Sequence, residues 1–215
     1  MAELLGIGWI DEEQYGQIRA GTRVTYPPGP GLSGLWEDEN VFRAPVKNYG
    51  RFDATSKLTC CACALALEDS GALEGPTGII GTSRNGCLES NRAYFKDYVD
   101  CGRTLSRGNL FIYTLPSSSL AEAAIHLGLT GPTLYVTSPE PDPALLFDTA
   151  ARMMSADDAG SMLAIQSNEL EAICFVLAEP PRSGRAICGL DDALTMIENT
   201  DCTRIGALVK GFADL

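Results

Sequence analysis

The sequence predicts an α/β domain in which helices cover a mixed β-sheet. Two observations lead to this prediction. Up to residue 155, short apolar segments alternate with segments of helical periodicity. From residue 161, runs rich in Ile, Val, Leu and Cys are separated by turn residues, which is typical of antiparallel strands. Alternation followed by hairpins favours a layered α/β/α arrangement around a mixed β-sheet.

The size and charge of the chain limit what it can do. Its 215 residues suffice for one domain with a real core but not for two ordinary domains. The formal net charge of −12, with no basic tract, argues against binding to nucleic acid. No apolar run reaches the roughly 18 residues that span a bilayer, and the first ten residues lack a basic start and a cleavage site. We therefore expect a cytoplasmic protein without a membrane span.

The first half of the chain begins with a predicted strand at 3–10. The stretch 11–50 is rich in Gly, Pro and charge, and we interpret it as a long surface excursion within a single domain that covers 1–215. A helix is predicted over 56–69, capped by Asp53 or Thr55 and ended by Gly71.

This helix at 56–69 is apolar on nearly every side. Leu58, Cys61 and Leu65 form one stripe, and other Cys, Ala and Leu residues fill most of the remaining surface. Such a helix is normally covered on more than one side, which predicts a layer between two sheets. Because exposed apolar area costs about 25 cal/mol per Å², we expect Leu58, Cys61 and Leu65 to be buried at an interface with a partner.

The remaining elements follow from periodicity and turn signals. We predict strands at 77–83 and 133–138, a meander of strands at 161–166, 171–178 and 185–190, and a last strand at 204–210. We predict helices at 89–100, 117–127, 143–155 and 191–199.

The cysteines and the lone histidine give little sign of chemistry. Cys60 and Cys63 form a C-x-x-C pair, but no second pair or Cys/His cluster completes a set of four metal ligands. The eight cysteines are therefore predicted to be reduced thiols that act as small apolar residues, with no metal and no cofactor. His126 is predicted to interact with the carbonyl end of its helix.

Five motifs occur in an order that resembles the N-terminal half of the β-ketoacyl synthases, a thiolase-like family of condensing enzymes. Together they cover most of residues 3–190. They are RFD at 51–53 with ALEDSG at 66–71, TGIIGT at 77–82, LPSSSLAEAAIHLGLTGPTLYVTSPE at 115–140, AARMM at 150–154, and CFVLAEPPRSGRAICGL at 174–190. The resemblance implies a thiolase-like half-fold.

The same resemblance shows where the catalytic residue is missing. The family places its nucleophilic cysteine about nine residues after the glycine that matches Gly131, and this chain has Glu140 there. Three prolines in the segment 138–143 lack an N–H, so fewer donors remain for an oxyanion hole. A carboxylate is no thiolate nucleophile, and we therefore assign no catalytic residue.

Glu140 keeps two alternative interpretations. It can lie with Asp142 at the N-terminus of the helix that begins near Pro143, where acidic groups are favourable. Alternatively, it mimics the carboxyl of an acyl-cysteine and promotes decarboxylation, as a glutamine does in some loading synthases. Ser117, Ser118 and Ser119 are interpreted as a helix cap and turn.

The resemblance implies a non-catalytic subunit similar to a chain length factor. Such a subunit acts with a condensing enzyme or an acyl carrier protein in fatty-acid or polyketide-type synthesis, as a homodimer or as a heterodimer with a ketoacyl synthase. Arg103 and Arg107 are the candidate contacts for a carrier protein. One alternative is a small-molecule or acyl-chain binder whose pocket is formed by 86–105 and helix 117–127. Another is an enzyme of unrelated chemistry that uses Glu140.

Overall fold

A computed structural model describes residues 2–26, 41–42, 46–104, 107–180 and 186–215. Within this part, eight strands form one mixed sheet in the order β3-β2-β1-β7-β6-β4-β5, and β8 pairs with β1. The strands are β1 Glu3–Ile10, β2 Gln14–Gln17, β3 Thr22–Thr25, β4 Thr77–Thr82, β5 Thr133–Tyr135, β6 Ser161–Ser167, β7 Ala172–Ala178 and β8 Cys188–Gly189.

Seven α-helices accompany the sheet in the described residues. They are α1 Ala54–Ser70, α2 Leu88–Asp100, α3 Gly108–Phe111, α4 Ser118–Leu127, α5 Pro143–Ser155, α6 Leu190–Glu198 and α7 Ile205–Ala213. One sheet face packs against α1 and α4, and the other against α5, α6 and α7. The predicted layered α/β/α class with a mixed sheet is confirmed.

Alternating strand residues supply the two cores. Leu5, Ile79 and Val176 belong to the core under α1, whereas Leu4 and Phe175 belong to the core under α5 to α7. This is the two-residue period of a strand that is buried on both faces. The centre of the sheet therefore has no solvated face.

The predicted last strand at 204–210 is wrong, because this segment is helix α7. Ile205, Leu208, Val209 and Phe212 are buried at spacings of three, four and seven residues, which is the period of a helix. Phe212 packs against Phe175 of β7 with the two rings tilted by 55° and their centroids 5.3 Å apart. Helix α7 thus completes the cover of the second sheet face.

The predicted three-stranded meander is only partly present. Strands β6 and β7 form an antiparallel hairpin, but β8 has two residues and pairs with β1 instead of β7. The first residue of the strand predicted at 185–190 lies outside the described part of the chain, as does much of the excursion predicted at 11–50. Within the described residues of that excursion, β2 and β3 form a hairpin that extends the sheet from β1.

Helix α1 lies directly on β1 because two glycines let the backbones approach. A Cβ at Gly8 would lie 2.3 Å from Ala66 N, and one at Gly6 would lie 2.4 Å from Ser70 N. The opposite side of α1 is covered by α4 and by Tyr49 and nearby residues. Because the described strands all belong to one sheet, the expected position of α1 between two sheets is wrong for this part of the chain.

Asp69, at the end of α1, fixes this packing. Its buried carboxylate accepts hydrogen bonds from the backbone N–H groups of Ile7 at 2.9 Å, Arg19 at 3.0 Å and Ala20 at 2.8 Å. Asp69 thereby joins α1 to β1 and to the turn of the β2–β3 hairpin. In the described residues, no helix is both long and apolar enough to cross a membrane.

Candidate functional site

The candidate site lies where the parallel strands β4, β5 and β6 end and α5 begins. Thr82 and Gln166 are paired at the carboxyl ends of β4 and β6, and β5 leads to α5 through residues 136–142. In open α/β sheets, this edge is where ligands bind. The segment 138–143, which the sequence resemblance predicts to match the nucleophile turn of the synthases, is at this edge.

Helix α5 begins with its own side-chain cap. Asp142 Oδ1 accepts a hydrogen bond from Leu145 N at 3.0 Å, and Pro143 occupies the first turn. Leu146 N donates to the carbonyl oxygen of Asp142 at 3.3 Å. Two amide donors of the first turn are thus already used, and Pro143 has none to offer.

Glu140 is exposed to solvent, whereas Pro141 and Pro143 on either side of Asp142 are buried. The predicted capping role is confirmed for Asp142, which makes the cap bond itself. Any chemical role of Glu140 stays a prediction.

One thiol does come near the start of α5, and sequence reasoning missed it. Cys202, in the connection between α6 and α7, is half-buried and lies within electrostatic range of Asp142. Burial, together with Asp142 and Asp201, raises the pKa of this thiol above its ordinary value. Its Sγ donates toward the carbonyl oxygens of Ile197 and Thr200 at 3.5 and 3.4 Å.

The surroundings of Cys202 are thus the reverse of those that activate a cysteine. An activated thiol has a lowered pKa, from a cationic neighbour or a free helix N-terminus. Cys202 instead has carboxylates nearby, and Gln166 Nε2 ties its backbone carbonyl oxygen to the end of β6 at 3.0 Å. Cys202 therefore anchors the connection between α6 and α7 to the sheet, and its thiol is not activated as a nucleophile.

His126 is held by backbone carbonyls on the other sheet face. Its Nδ1 is 2.8 Å from the carbonyl oxygen of Glu122, and its Nε2 is 2.8 Å from that of Lys47. His126 lies in the last turn of α4 as predicted, but only the Glu122 contact is to a carbonyl of that helix, and an interaction with the helix dipole stays a prediction. Tyr113 donates to Glu122 at 3.2 Å, which joins this cluster to the segment before α4. With both ring nitrogens engaged, His126 is not placed as an acid–base group for the start of α5.

The two arginines proposed to contact a carrier protein differ in their surroundings. Arg107 binds the carboxylate of Asp97 through its backbone N at 2.8 Å and its Nε at 2.9 Å. This pairing lowers the pKa of Asp97 and ties the segment after α2 back onto that helix. Arg103 is exposed, in a left-handed backbone conformation with φ of 62°. Contact of either residue with a carrier protein stays a prediction.

The apolar stripe of α1 is covered by the chain itself. Leu58, Cys61 and Leu65 are at most 2 % exposed, and the hydroxyl of Tyr49 lies 3.0 Å from Cys61 Sγ. Burial also raises the pKa of the Cys60 and Cys63 thiols well above the ordinary value. These side chains therefore offer no docking surface, so a role of α1 in an interface would need its other residues.

A groove of about 460 Å³ lies between α1, the end of α4 and three residues of the segment before α1, namely Val41, Phe42 and Val46. It is mostly apolar, with Glu68 and His126 as polar groups. The end of α4 lines it, but 86–105 does not, so this groove differs from the pocket expected for an acyl-chain binder. Over the described ranges, no group of three His, Cys, Asp or Glu residues is placed to hold a metal ion.

No protein-family model matches the chain, and no curated protein matches it in sequence. Solved structures match it in fold. The ishigamide ketosynthase/chain length factor is 14% identical, with a TM-score of 0.62 over 86% of this chain and 63% of its own. A β-ketoacyl synthase from Burkholderia phymatum STM815 is 15% identical, with a TM-score of 0.56 over 83% of this chain and 59% of its own.

A third match is the ketosynthase ApeO in complex with its chain length factor ApeC from Xenorhabdus doucetiae. It is 15% identical, with a TM-score of 0.54 over 84% of this chain and 80% of the matched chain. The chain thus has the thiolase-like fold of ketosynthases and chain length factors, which confirms the predicted resemblance at the level of the fold. It spans less than two thirds of the length of the first two of these structures.

Proposed function

We propose that this protein is a non-catalytic, ketosynthase-like subunit that acts as a chain length factor does, beside a condensing enzyme. The observation that carries the proposal is the start of α5, where the synthases carry their nucleophile. There the chain presents Asp142 as a helix cap between two buried prolines, and the nearby thiol of Cys202 has a raised pKa. A helix cap and a thiol of raised pKa at this position support a subunit that keeps the fold without an activated cysteine.

The partner in this proposal is a ketosynthase. Two of the matched structures are described as a ketosynthase with a chain length factor, and a fourth match, 14% identical with a TM-score of 0.56, is described as a ketosynthase with an acyl carrier protein. Association with a carrier protein through Arg103 or Arg107 is part of the same proposal. So is a cytoplasmic location, which the eight free thiols favour.

Co-purification with a ketosynthase tests this function. We expect tagged protein to retain a ketosynthase from a lysate of the cells that produce it, and the product length of that enzyme to change when the subunit is omitted. The variant Glu140→Ala serves as a control, because a non-catalytic subunit keeps both properties without Glu140. Loss of condensation with Glu140→Ala, in an assembled complex, would contradict the proposal, as would the absence of any ketosynthase partner.

A second candidate function is binding of a small apolar molecule, which the groove beside α1 favours. Its volume of about 460 Å³ falls in the range of ligand pockets. Native mass spectrometry of the protein isolated from cells separates the two functions. A bound mass that disappears in Ala64→Trp, a variant that fills the groove, would support the binder. Protein that carries no added mass would argue against it.

A further inference from the structure

The imidazole ring of His126 lies between two backbone carbonyl oxygens. Its Nδ1 is 2.8 Å from the carbonyl oxygen of Glu122, one turn earlier in α4, and its Nε2 is 2.8 Å from that of Lys47, which is 79 residues away in the sequence. A carbonyl oxygen only accepts hydrogen bonds, so each ring nitrogen has to donate. A neutral imidazole has one N–H, whereas the imidazolium has two. Both contacts are therefore hydrogen bonds only when the ring carries its second proton.

The surroundings of the ring provide a charge that compensates an imidazolium. A carboxylate oxygen of Glu122 lies 3.6 Å from Nδ1, and the His126 and Glu122 side chains are only 14% and 21% exposed. Tyr113 donates to the other oxygen of that carboxylate at 3.2 Å. Phe52 packs edge-on against the imidazole, with ring centroids 5.2 Å apart. The ring is thus held in place on one side by an aromatic side chain and faces a carboxylate on another.

Histidine is the side chain whose charge ordinarily changes between pH 5 and 8, and His126 is the only histidine in the chain. Carboxylates and lysine ammonium groups ordinarily stay charged across this range. Burial raises the pKa of the Tyr49, Cys60 and Tyr113 side chains, so these groups keep their protons. The titratable groups around the ring are Glu122 on α4, Tyr113 before it, Lys47, Tyr49 and Asp53 before α1, and Cys60 and Glu68 on α1.

The bond from His126 to Lys47 reaches the wall of the groove beside α1. Val46, the residue before Lys47, lines this groove together with Val41 and Phe42, and His126 lines it as well. The contact at Nε2 therefore joins the wall formed by the segment before α1 to the part of the groove formed by α4.

The same segment has a separate anchor from Tyr49 onward. The hydroxyl of Tyr49 donates to the carbonyl oxygen of Lys57 at 3.3 Å, which ties the residues after the turn to α1. Asn48 lies between this anchor and Lys47, with a φ of 63°, a left-handed conformation that asparagine adopts more readily than most residues. The part of the wall that precedes Asn48 can therefore move while Tyr49 stays in the core.

Loss of the second proton removes one of the two donors. With the remaining proton on Nδ1, the lone pair of Nε2 faces the Lys47 carbonyl oxygen, which is repulsive. With the proton on Nε2, the lone pair of Nδ1 faces the carbonyl oxygen and carboxylate of Glu122, which drives the ring out of the position that binds Lys47. We propose that His126 is a proton-dependent clamp, which holds the groove wall on α4 when the ring is charged and releases it when the ring is neutral. This proposal does not depend on the proposed function.

NMR of the full chain between pH 5.5 and 8.5 tests the clamp. The ring ¹⁵N shifts of His126 report its charge, and the carbonyl ¹³C shift of Lys47 reports its hydrogen bond. We expect the two sets of shifts to change with the same midpoint. The control His126→Gln has no imidazole, so its Lys47 signal should stay constant. A ring that does not titrate in this range, a ring that titrates without a change at Lys47, or a Lys47 transition that persists in His126→Gln would overturn the proposal.

Trypsin measures the release of the wall, because Lys47 is exposed. Cleavage after Lys47, relative to cleavage after Arg84 in the loop that follows β4, should rise about tenfold between pH 6 and 8 as a hydrogen bond from a charged donor is lost, and should not change in His126→Gln. Glu122→Gln removes the compensating carboxylate but keeps an oxygen that can accept from Tyr113. It should move the ring and cleavage midpoints to lower pH by the same amount. Cleavage that does not follow the ring in either protein would contradict the clamp.

Discussion

Asp69 provides the sharpest test of how this fold is held together. Asp69 is 4% exposed, and its carboxylate accepts three backbone hydrogen bonds at 2.8 to 3.0 Å, from Ile7, Arg19 and Ala20. In Asp69→Ala, the N–H of Ile7 stays buried without this acceptor, which costs about 1–3 kcal/mol. The N–H groups of Arg19 and Ala20 are only partly buried, so each loss costs about 0.5–1.5 kcal/mol. We expect a total of about 2–6 kcal/mol.

Urea unfolding followed by circular dichroism measures this loss. Asp69→Asn should cost less than Asp69→Ala, because the amide oxygen can still accept from Ile7 while the NH₂ group faces a backbone donor. Asp148→Ala, which removes an exposed carboxylate from α5, is the matched control and should change stability by less than about 0.5 kcal/mol. An effect of Asp69→Ala below about 1 kcal/mol would show that the carboxylate does not join α1 to β1 and the hairpin.

Three further predictions concern titration, thiols and the start of α5. Burial, with Asp11 and Glu12 nearby, raises the pKa of Glu171 above its ordinary 4.5, so folded protein binds this proton more tightly than unfolded protein. Stability should therefore fall as pH rises from 4.5 through the folded-state pKa, and Glu171→Gln should remove that component from urea titrations across this range. A thiol reagent should modify the exposed Cys101 first, so Cys101→Ser should abolish the fast phase of labelling. Equally fast labelling of the buried Cys60 would contradict the packing of α1. Glu140→Cys should not become acylated by an acyl thioester, because the flanking prolines and the Asp142 cap remain. Mass spectrometry measures the acylation, and a burst of acylated protein would refute this prediction.

Elements with a strong local period were predictable from the sequence. The strand at β1, the apolar helix α1 and the capped helix α5 follow from patterns that a few residues define. Helix α7 was not predicted, because its segment IGALVKGF is short and apolar, and such a segment fits a strand as well as a helix. The β2–β3 hairpin was missed since its strands have four residues each, although β-branched residues in TRVT and Gly21 in a left-handed turn were the available signals.

Only the part of the candidate site whose residues are close together in the sequence was predictable. The segment around Glu140 and Asp142 could be located by its resemblance, and the cap at Asp142 follows from its place before Pro143. The approach of Cys202 to Asp142 joins residues that are 60 positions apart, and the three bonds of Asp69 join residues about 50 and 62 apart. No local pattern encodes such contacts, because they depend on how α1, α6 and α7 pack on the sheet.

The packing of α6 and α7 also limits where a partner can bind. These helices bury Phe175 and the rest of the second sheet face, with Ala193, Leu208 and Phe212 almost fully covered. The first face is closed in the same way by α1 and α4. A partner that used either face would have to displace a packed core, at a cost of several kcal/mol for each large side chain. Within the described residues, association therefore favours the exposed parts of the domain, such as helix α2, none of whose residues is buried.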